Sequence, residues 1–218
     1  MPHTDFRSPI SAEVVDQLVA AVGVGSVSQD PLERLAYARD TFPLAMKEAA
    51  RGGRSFEPDV VVWPNSTEEV AAVIQIAARH GIPVVPYGGG SGIVGGALSV
   101  KGGILLDLKR MNRILELDPI SLTVTVQAGI LGAVFEGALN AQGYSAGHFP
   151  QSIYSSTVGG WIAHRGIGTF STKYGKIDDM VVALEVVLPD GQVLNTRNVP
   201  QSAAGPDLNR LFLGAEGT

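Results

Sequence analysis

The stretch from residue 58 to residue 96 changes its hydrophobic period twice, and this succession constrains the fold more than any other feature. "PDVVVWP" is a short continuous apolar run between prolines, which reads as a buried strand. "NSTEEVAAVIQIAARHG" follows. It puts Val70, Val73, Ile74 and Ala77 on one helical face, with a Ser66/Glu69 capping box at its start and Gly81 at its end. "IPVV" is then a second buried strand. Strand, helix and strand make a βαβ unit, which implies parallel neighbours and a right-handed crossover. The expected fold class is α+β, assembled from α/β lobes.

The rest of the chain extends this pattern. "SAEVVDQLVAAVG" carries Val14, Val15, Leu18, Val19 and Val22 on one helical stripe, and "DPLERLAYARDTF" reads as a shorter helix. "ARGGRSFEP" reads as a loop. "GGILLDL" is a strand, and "NRILELDPISLTVTVQAG" alternates as a hairpin. "ILGAVFEGALNAQGY" is a helix ended by Gly143, and "MVVALEVVLPDGQVLNT" is a hairpin turning at Pro-Asp-Gly. "GPDLNRLFLGAEGT" begins a short helix. These elements predict a helical amino-terminal segment over 1–55, a βαβ subdomain over 56–110 and a more β-rich subdomain over 111–218.

Composition removes several function classes. With 218 residues, 45% of them apolar, the chain can bury a real core. A net charge of −5 gives no basic surface for nucleic acid, and "LKRMNR" (Lys109, Arg110, Arg113) reads as a solvated turn. The absence of cysteine excludes disulfides, thiolate nucleophiles and Cys-based metal sites. His3, His80, His148 and His164 show no metal-ligand spacing, so no metal site is expected. "MPHTDFRSP" lacks the features of a signal peptide, and no run is long enough to span a membrane. A cytoplasmic protein is expected, and self-association into a homo-oligomer is left open.

The loop after the second strand, "PYGGGSGIVGG", holds six glycines in eleven positions. It leaves the carboxyl end of a strand, where open α/β sheets bind ligands. Gly90, Gly92 and Gly95 match a GxGxxG dinucleotide fingerprint, but no helical stripe follows and Asp107 comes too early for the ribose acid. A nest of backbone N–H groups that cradles a diphosphate fits better. A mobile surface loop is the bland alternative. A second segment, "PQSIYSSTVGGWIAHRG", places Ser152, Ser155, Ser156 and Thr157 just before Gly159 and Gly160. Hydroxyls, bare backbone and a helix starting near Ser156 could donate to phosphate, or the segment could simply cap a packed helix. Two such segments, one per lobe, suggest a cofactor lying between the lobes.

Four stretches in order, "PYGGGSG", "GHFPQSIYSSTVGGW", "YGKIDDMVVALEVVLPDG" and "GPDLNRLFLGAEGT", resemble the PCMH-type FAD-binding domain of the FAD-linked oxidase, or vanillyl-alcohol-oxidase, superfamily. The resemblance covers residues 58–218 and leans toward its alkylglycerone-phosphate synthase and D-lactate/glycolate dehydrogenase branches. It implies two subdomains with FAD between them. By position, Pro86, Tyr87, Gly88, Gly89, Gly90, Ser91 and Gly92 would hold the pyrophosphate. Gln151, Ser152, Ile153, Tyr154, Ser155, Ser156, Thr157 and Gly160 would line flavin and pyrophosphate. His164, Arg165, Gly166 and Ile167 would form the next contact, and Glu216, Gly217 and Thr218 the last. Arg165 would neutralise phosphate, with a carboxylate across the lobes as the other choice.

The sequence also departs from the family pattern. Ser91 follows the glycine triplet where relatives carry a flavin-tethering histidine, so non-covalent FAD is expected. Gln151 replaces the Asp usual in the synthase branch, and Gly166 and Ile167 replace a small polar pair. His148 and His164 read more readily as packing or hydrogen-bonding residues than as bases. Trp63 and Trp161 read as core, Tyr174 as interlobe packing or a ring stack, and Asp178 and Asp179 as a solvated turn or a cap. The family implies a small-molecule substrate and a substrate cap beyond Thr218, so no catalytic residue is assigned. The resemblance implies the FAD-binding domain of a flavin-dependent oxidoreductase acting on a 2-hydroxy acid or related alcohol, with a synthase-type transferase and a non-catalytic flavin module as the alternatives.

Overall fold

The computed structural model describes residues 10–53, 56–200 and 202–218. The "MPHTDFRSP" stretch, and Arg54 and Ser55 of the loop, lie outside the described residues. Ser11 caps α1 (Ala12–Val22), whose buried stripe is Val14, Leu18 and Val22. A two-residue strand β1 (Val27–Ser28) follows, then α2 (Pro31–Ala36), started by Asp30 and Pro31. α3 (Pro43–Ala50) was not anticipated, because only Ala45 on it is buried and no apolar stripe marks it.

The first sheet contains β2 (Val60–Val62), β3 (Val84–Tyr87) and β4 (Ile104–Asp107), with β2 and β3 joined by α4 (Thr67–His80). Its order is β1-β2-β4-β3. β2 and β3 both run parallel to β4, but β4 lies between them, so the expected neighbours are not adjacent. Sequence period shows direction and burial but not which later strand enters the gap. Ser66 accepts from the Glu69 N–H at 3.3 Å, while the Glu69 carboxylate reaches one residue beyond the expected box, to the Asn65 N–H at 2.7 Å.

β2, and β4 up to its terminal Asp107, are apolar because both faces are covered. Val60, Val62, Ile104 and Leu106 pack with Val14, Leu18, Val70, Val73 and Ile76 of α1 and α4. Val61, Leu105 and Tyr87 face the other way, against Tyr37, Trp63 and Ala97. Pro86 is tolerated inside β3 because β3 is an edge strand.

A second core begins after Met111. It contains the hairpin β5 (Ile114–Asp118) and β6 (Thr123–Val126), α5 (Gly132–Asn140), α6 (Val158–Ala163) and α8 (Ile177–Met180), with the short α7 (Ser171–Tyr174) between the last two. Ile130, Phe135, Leu139, Ile153, Val158, Trp161 and Ile177 fill it. The hairpin β7 (Glu185–Val187) and β8 (Val193–Asn195) then returns to the first lobe. Val187 packs on the first core, and Thr67 donates to Glu185 at 2.6 Å. α9 (Asn209–Phe212) closes the described chain. Among the described residues, no helix is long and apolar enough to cross a membrane.

Ile104 is fully buried in the central strand. Ile104→Ala should cost about 2–5 kcal/mol through lost transfer energy and the cavity left behind. Urea unfolding should show a lower midpoint at an unchanged slope.

Candidate cofactor site

β3 and β4 end together, since Tyr87 pairs with Asp107 in parallel register. The glycine loop therefore leaves the carboxyl edge of the sheet, with no helix opening between residues 88 and 100. That removes the Rossmann geometry, which needs a helix amino terminus at the fingerprint. The loop turns onto the second lobe. A Cβ on Gly88 would strike the Thr157 hydroxyl, and one on Gly89 would overlap the Ser155 carbonyl. Two segments far apart in sequence thus meet backbone to backbone. Of Gly88, Gly89 and Gly90, only Gly90 has a positive φ, +62°, and its own Cβ would collide with the Tyr87 hydroxyl. The glycine triplet is required more by close approach than by left-handed backbone.

The loop's donors are unengaged. Among the described residues, no backbone acceptor takes the N–H of Gly89, Gly90, Ser91 or Gly92. Four successive donors without partners, in a loop that is mostly half-buried, call for an anionic ligand or water.

The second segment behaves differently from expectation. Thr157 caps α6, and its Oγ1 accepts from the Gly160 N–H at 3.2 Å. The Val158 and Gly159 N–H groups donate to the Ile130 and Ala128 carbonyls. The short helix therefore has no free first-turn donors, and Gly159 is small so that Ala128 can pack there. Ser156 is buried. Its Oγ donates to the Ser152 carbonyl at 2.8 Å and accepts from Trp161 Nε1 at 2.7 Å. Ile153 belongs to the second core. The side chains of Ile153, Ser156 and Thr157 thus hold the segment in shape and do not line its surface. Gln151, Tyr154 and Ser155 are exposed, and Ser152 is half-buried.

Of the remaining predicted residues, Glu216 and Gly217 reach the first lobe. Gly217 lies against the Pro86 ring, and the Glu216 carboxylate lies beside Gly96. Glu216 donates its N–H to the Ala163 carbonyl at 3.0 Å, and Gly214 donates to Ile162 at 3.1 Å. Thr218 closes a turn on the Ala215 carbonyl through N–H and hydroxyl. Arg165 donates Nε to the Leu213 carbonyl at 3.0 Å, so it ties the last segment to α6. Arg165 and Glu216 both hold positive φ, 54° and 50°, a strained conformation for these residue types. His164 and Ile167 are exposed, whereas Gly166 is buried between His164 and His148.

His148 is 1% exposed and stacks edge-on to Trp161, with no hydrogen-bond partner for either ring nitrogen. Burial, and then the nearby His164, hold its pKa below the ordinary histidine value. Trp161 is core, and Trp63 is half-buried over Tyr37. Tyr174 is half-exposed against Gly147. Asp178 is not a solvated turn. It is 5% exposed, with Lys176 at 3.2 Å and Arg210 at 3.4 Å. Burial alone would raise its pKa, but the hydrogen bond from Lys176, its own backbone N–H and the charges of Lys176 and Arg165 hold its carboxyl below the usual range. Asp179 does cap, accepting from the Lys176 N–H at 2.9 Å.

Sequence reasoning missed the residues beneath and outside the loop. Lys109 is no solvated charge, since it pairs with buried Asp107 at 2.7 Å. Thr41 donates both its N–H and its hydroxyl to the Gly92 carbonyl. Neither residue carries a motif. The one available signal was Asp107, a carboxylate ending an otherwise apolar strand.

A seam between two lobes, closed by a glycine loop with four free donors at the edge of a parallel sheet, is the geometry of a dinucleotide-diphosphate holder. The sequence profile described as FAD binding domain matches residues 58–197, and the chain belongs to this family of FAD-binding domains. It is 37% identical to the alkyldihydroxyacetonephosphate synthase of Dictyostelium discoideum, over 94% of this chain and 34% of that protein. It is 35% identical to the glycolate oxidase subunit GlcD of Bacillus subtilis (strain 168), over 96% of this chain and 43% of that one. A solved alkyldihydroxyacetonephosphate synthase superposes with a TM-score of 0.89 at 34% identity, covering 99% of this chain and 39% of that one. The chain thus spans less than half the length of these relatives.

Gly89→Val should lower FAD affinity by more than about tenfold, because the added carbons need space held by the Ser155 carbonyl. Flavin fluorescence titration reads this directly, and near-parental affinity would remove Gly89 from the site. His148 generates a second expectation. Its depressed pKa means that the unfolded chain binds the proton more readily, so stability should fall as pH drops below about 6.5. Urea midpoints at several pH values should show this slope, and His148→Phe should flatten it.

Proposed function

We propose that this chain is the cofactor-holding part of a flavin-dependent oxidoreductase that acts on a 2-hydroxy acid or a related alcohol. The observation that carries the reading is the run of four N–H groups without acceptors, from Gly89 to Gly92. In this reading those donors hold the FAD diphosphate, and Ser152 offers a hydroxyl from the facing lobe, while that of Ser155 donates to the Ser152 carbonyl at 3.3 Å. Arg165 supplies a cation at the seam. Bound FAD would supply a two-electron acceptor for the substrate. The flavin is held without a covalent bond, since the loop contains neither histidine nor cysteine. Substrate recognition is not assigned to any residue of this chain, which covers 34% and 43% of these two relatives. The similarity to a glycolate oxidase subunit supports a small hydroxy acid.

The similarity to a synthase over 94% of this chain supports a second reading, a transferase that uses flavin with no net redox change. The full-length flavoprotein separates the two. Anaerobic addition of glycolate or D-lactate should bleach the flavin absorbance. A flavin that stays oxidised while the protein exchanges an acyl for an alkoxy group would establish the transferase. A flavin inert to both treatments would leave a binding module.

A further inference from the structure

Lys109 lies beneath the glycine loop, at the carboxyl end of β4. Its ammonium donates to the Gly88 carbonyl at 2.9 Å and to Asp107 at 2.7 Å. It also stands 4.7 Å from the Tyr87 ring centroid and 5.4 Å from that of Tyr37. Asp107 is 1% exposed and accepts from the Tyr37 hydroxyl at 2.6 Å, which in turn accepts from Trp63 at 3.1 Å. An exposed lysine pair holds little in place. This ammonium is fixed by a carboxylate, a carbonyl and two ring faces.

The consequence follows from peptide geometry. In a planar trans peptide the C=O and the following N–H point in opposite directions. Drawing the Gly88 carbonyl toward Lys109 turns the Gly89 N–H away from the sheet edge. The far end of the loop is treated likewise. The Thr41 hydroxyl contacts the Ser91 carbonyl at 3.1 Å and the Gly92 carbonyl at 2.7 Å. Holding the Ser91 carbonyl turns the Gly92 N–H away from Thr41. The two outermost of the four free donors are therefore set by carbonyls anchored from outside the loop.

We propose that Lys109 and Thr41 are positioning residues of the cofactor loop, which aim its N–H groups by holding its carbonyls. The proposal rests on the reading of this loop as the FAD diphosphate site. Both act through carbonyls of the loop. Thr41 makes the amino-terminal segment part of the cofactor apparatus, although its sequence shows no binding motif.

The test compares FAD dissociation constants for the full chain and its variants, at low salt and at about 0.5 M salt. Apo-protein melting serves as the fold control. Lys109→Met removes the donor and keeps the stem, and should weaken FAD binding roughly tenfold at both salt concentrations. Lys109→Arg restores a donor and should stay within about threefold of the parent. Thr41→Val, at an exposed position, should weaken binding about threefold with unchanged apo melting. Binding within about twofold of the parent for both Lys109→Met and Thr41→Val overturns the proposal. So does a loss in Lys109→Met that vanishes at high salt, which would mark a diffuse charge effect. If Lys109→Met fails to fold, Thr41→Val decides. A parent that takes up no FAD overturns the functional reading itself, and this one with it.

Discussion

The approach of Gly88 and Gly89 to Ser155 and Thr157 is the contact on which the two-lobed arrangement depends. Each lobe has its own apolar core, and the change of core falls between Met111 and Ile114. Cores alone would leave the relative placement of two such lobes loose. Here a backbone strip of one lobe lies on a backbone strip of the other, at a separation that excludes even one methyl group. Glycine is the residue that permits this approach. The final segment adds to it, because Gly217 rests on Pro86 while Glu216 is bonded back to Ala163.

That contact also sorts the roles of the two lobes. The first lobe ends its parallel strands at one edge and sends out a loop whose donors are unengaged. The second lobe uses its hydroxyls and helix-start amides internally. Ser156 bridges Ser152 and Trp161, Thr157 caps its helix, and Gly159 donates to Ala128. The free donors at the seam lie mainly in the glycine loop, whereas those of the serine-rich segment are largely used within their own lobe. A half-buried donor without a partner carries a desolvation cost, so such groups persist where a ligand or water answers them.

Much of this was legible in the sequence. Continuous apolar strands, an amphipathic helix and a glycine-rich loop at a strand end outlined the first lobe and pointed to the candidate site. The absence of a helical stripe after Gly92 argues against a Rossmann turn, and in the fold no helix opens there. What stayed hidden depends on partners distant in sequence. No period tells that β4 inserts between β2 and β3. The hydroxyls of Ser156 and Thr157 look like phosphate donors until their internal acceptors and donors are known. Asp178 looks like a turn residue until Lys176 and Arg210 are seen around it. α3 left no signal, because a helix with one buried residue has no stripe to read.

Lys109 shows why the hidden part matters for chemistry. In sequence it is one of three cations in a short basic stretch, and charge counting assigns it to solvent. In the fold it follows a strand whose last residue, Asp107, is a buried carboxylate that needs a counter-charge. Lys109 answers that need, and the same ammonium reaches the first glycine carbonyl of the loop. Burial pushes the pKa of Tyr37 upward, as does its hydrogen bond to Asp107, so its hydroxyl stays protonated and keeps donating to the carboxylate. Tyr87 is raised for the same first reason. A neutral aromatic pair around one paired ammonium is a rigid arrangement, and rigidity is what a loop of three consecutive glycines cannot supply for itself. The loop's permissive backbone and its fixed underside are therefore complementary: glycine allows the two lobes to meet, and the residues beneath it keep the freed donors aimed.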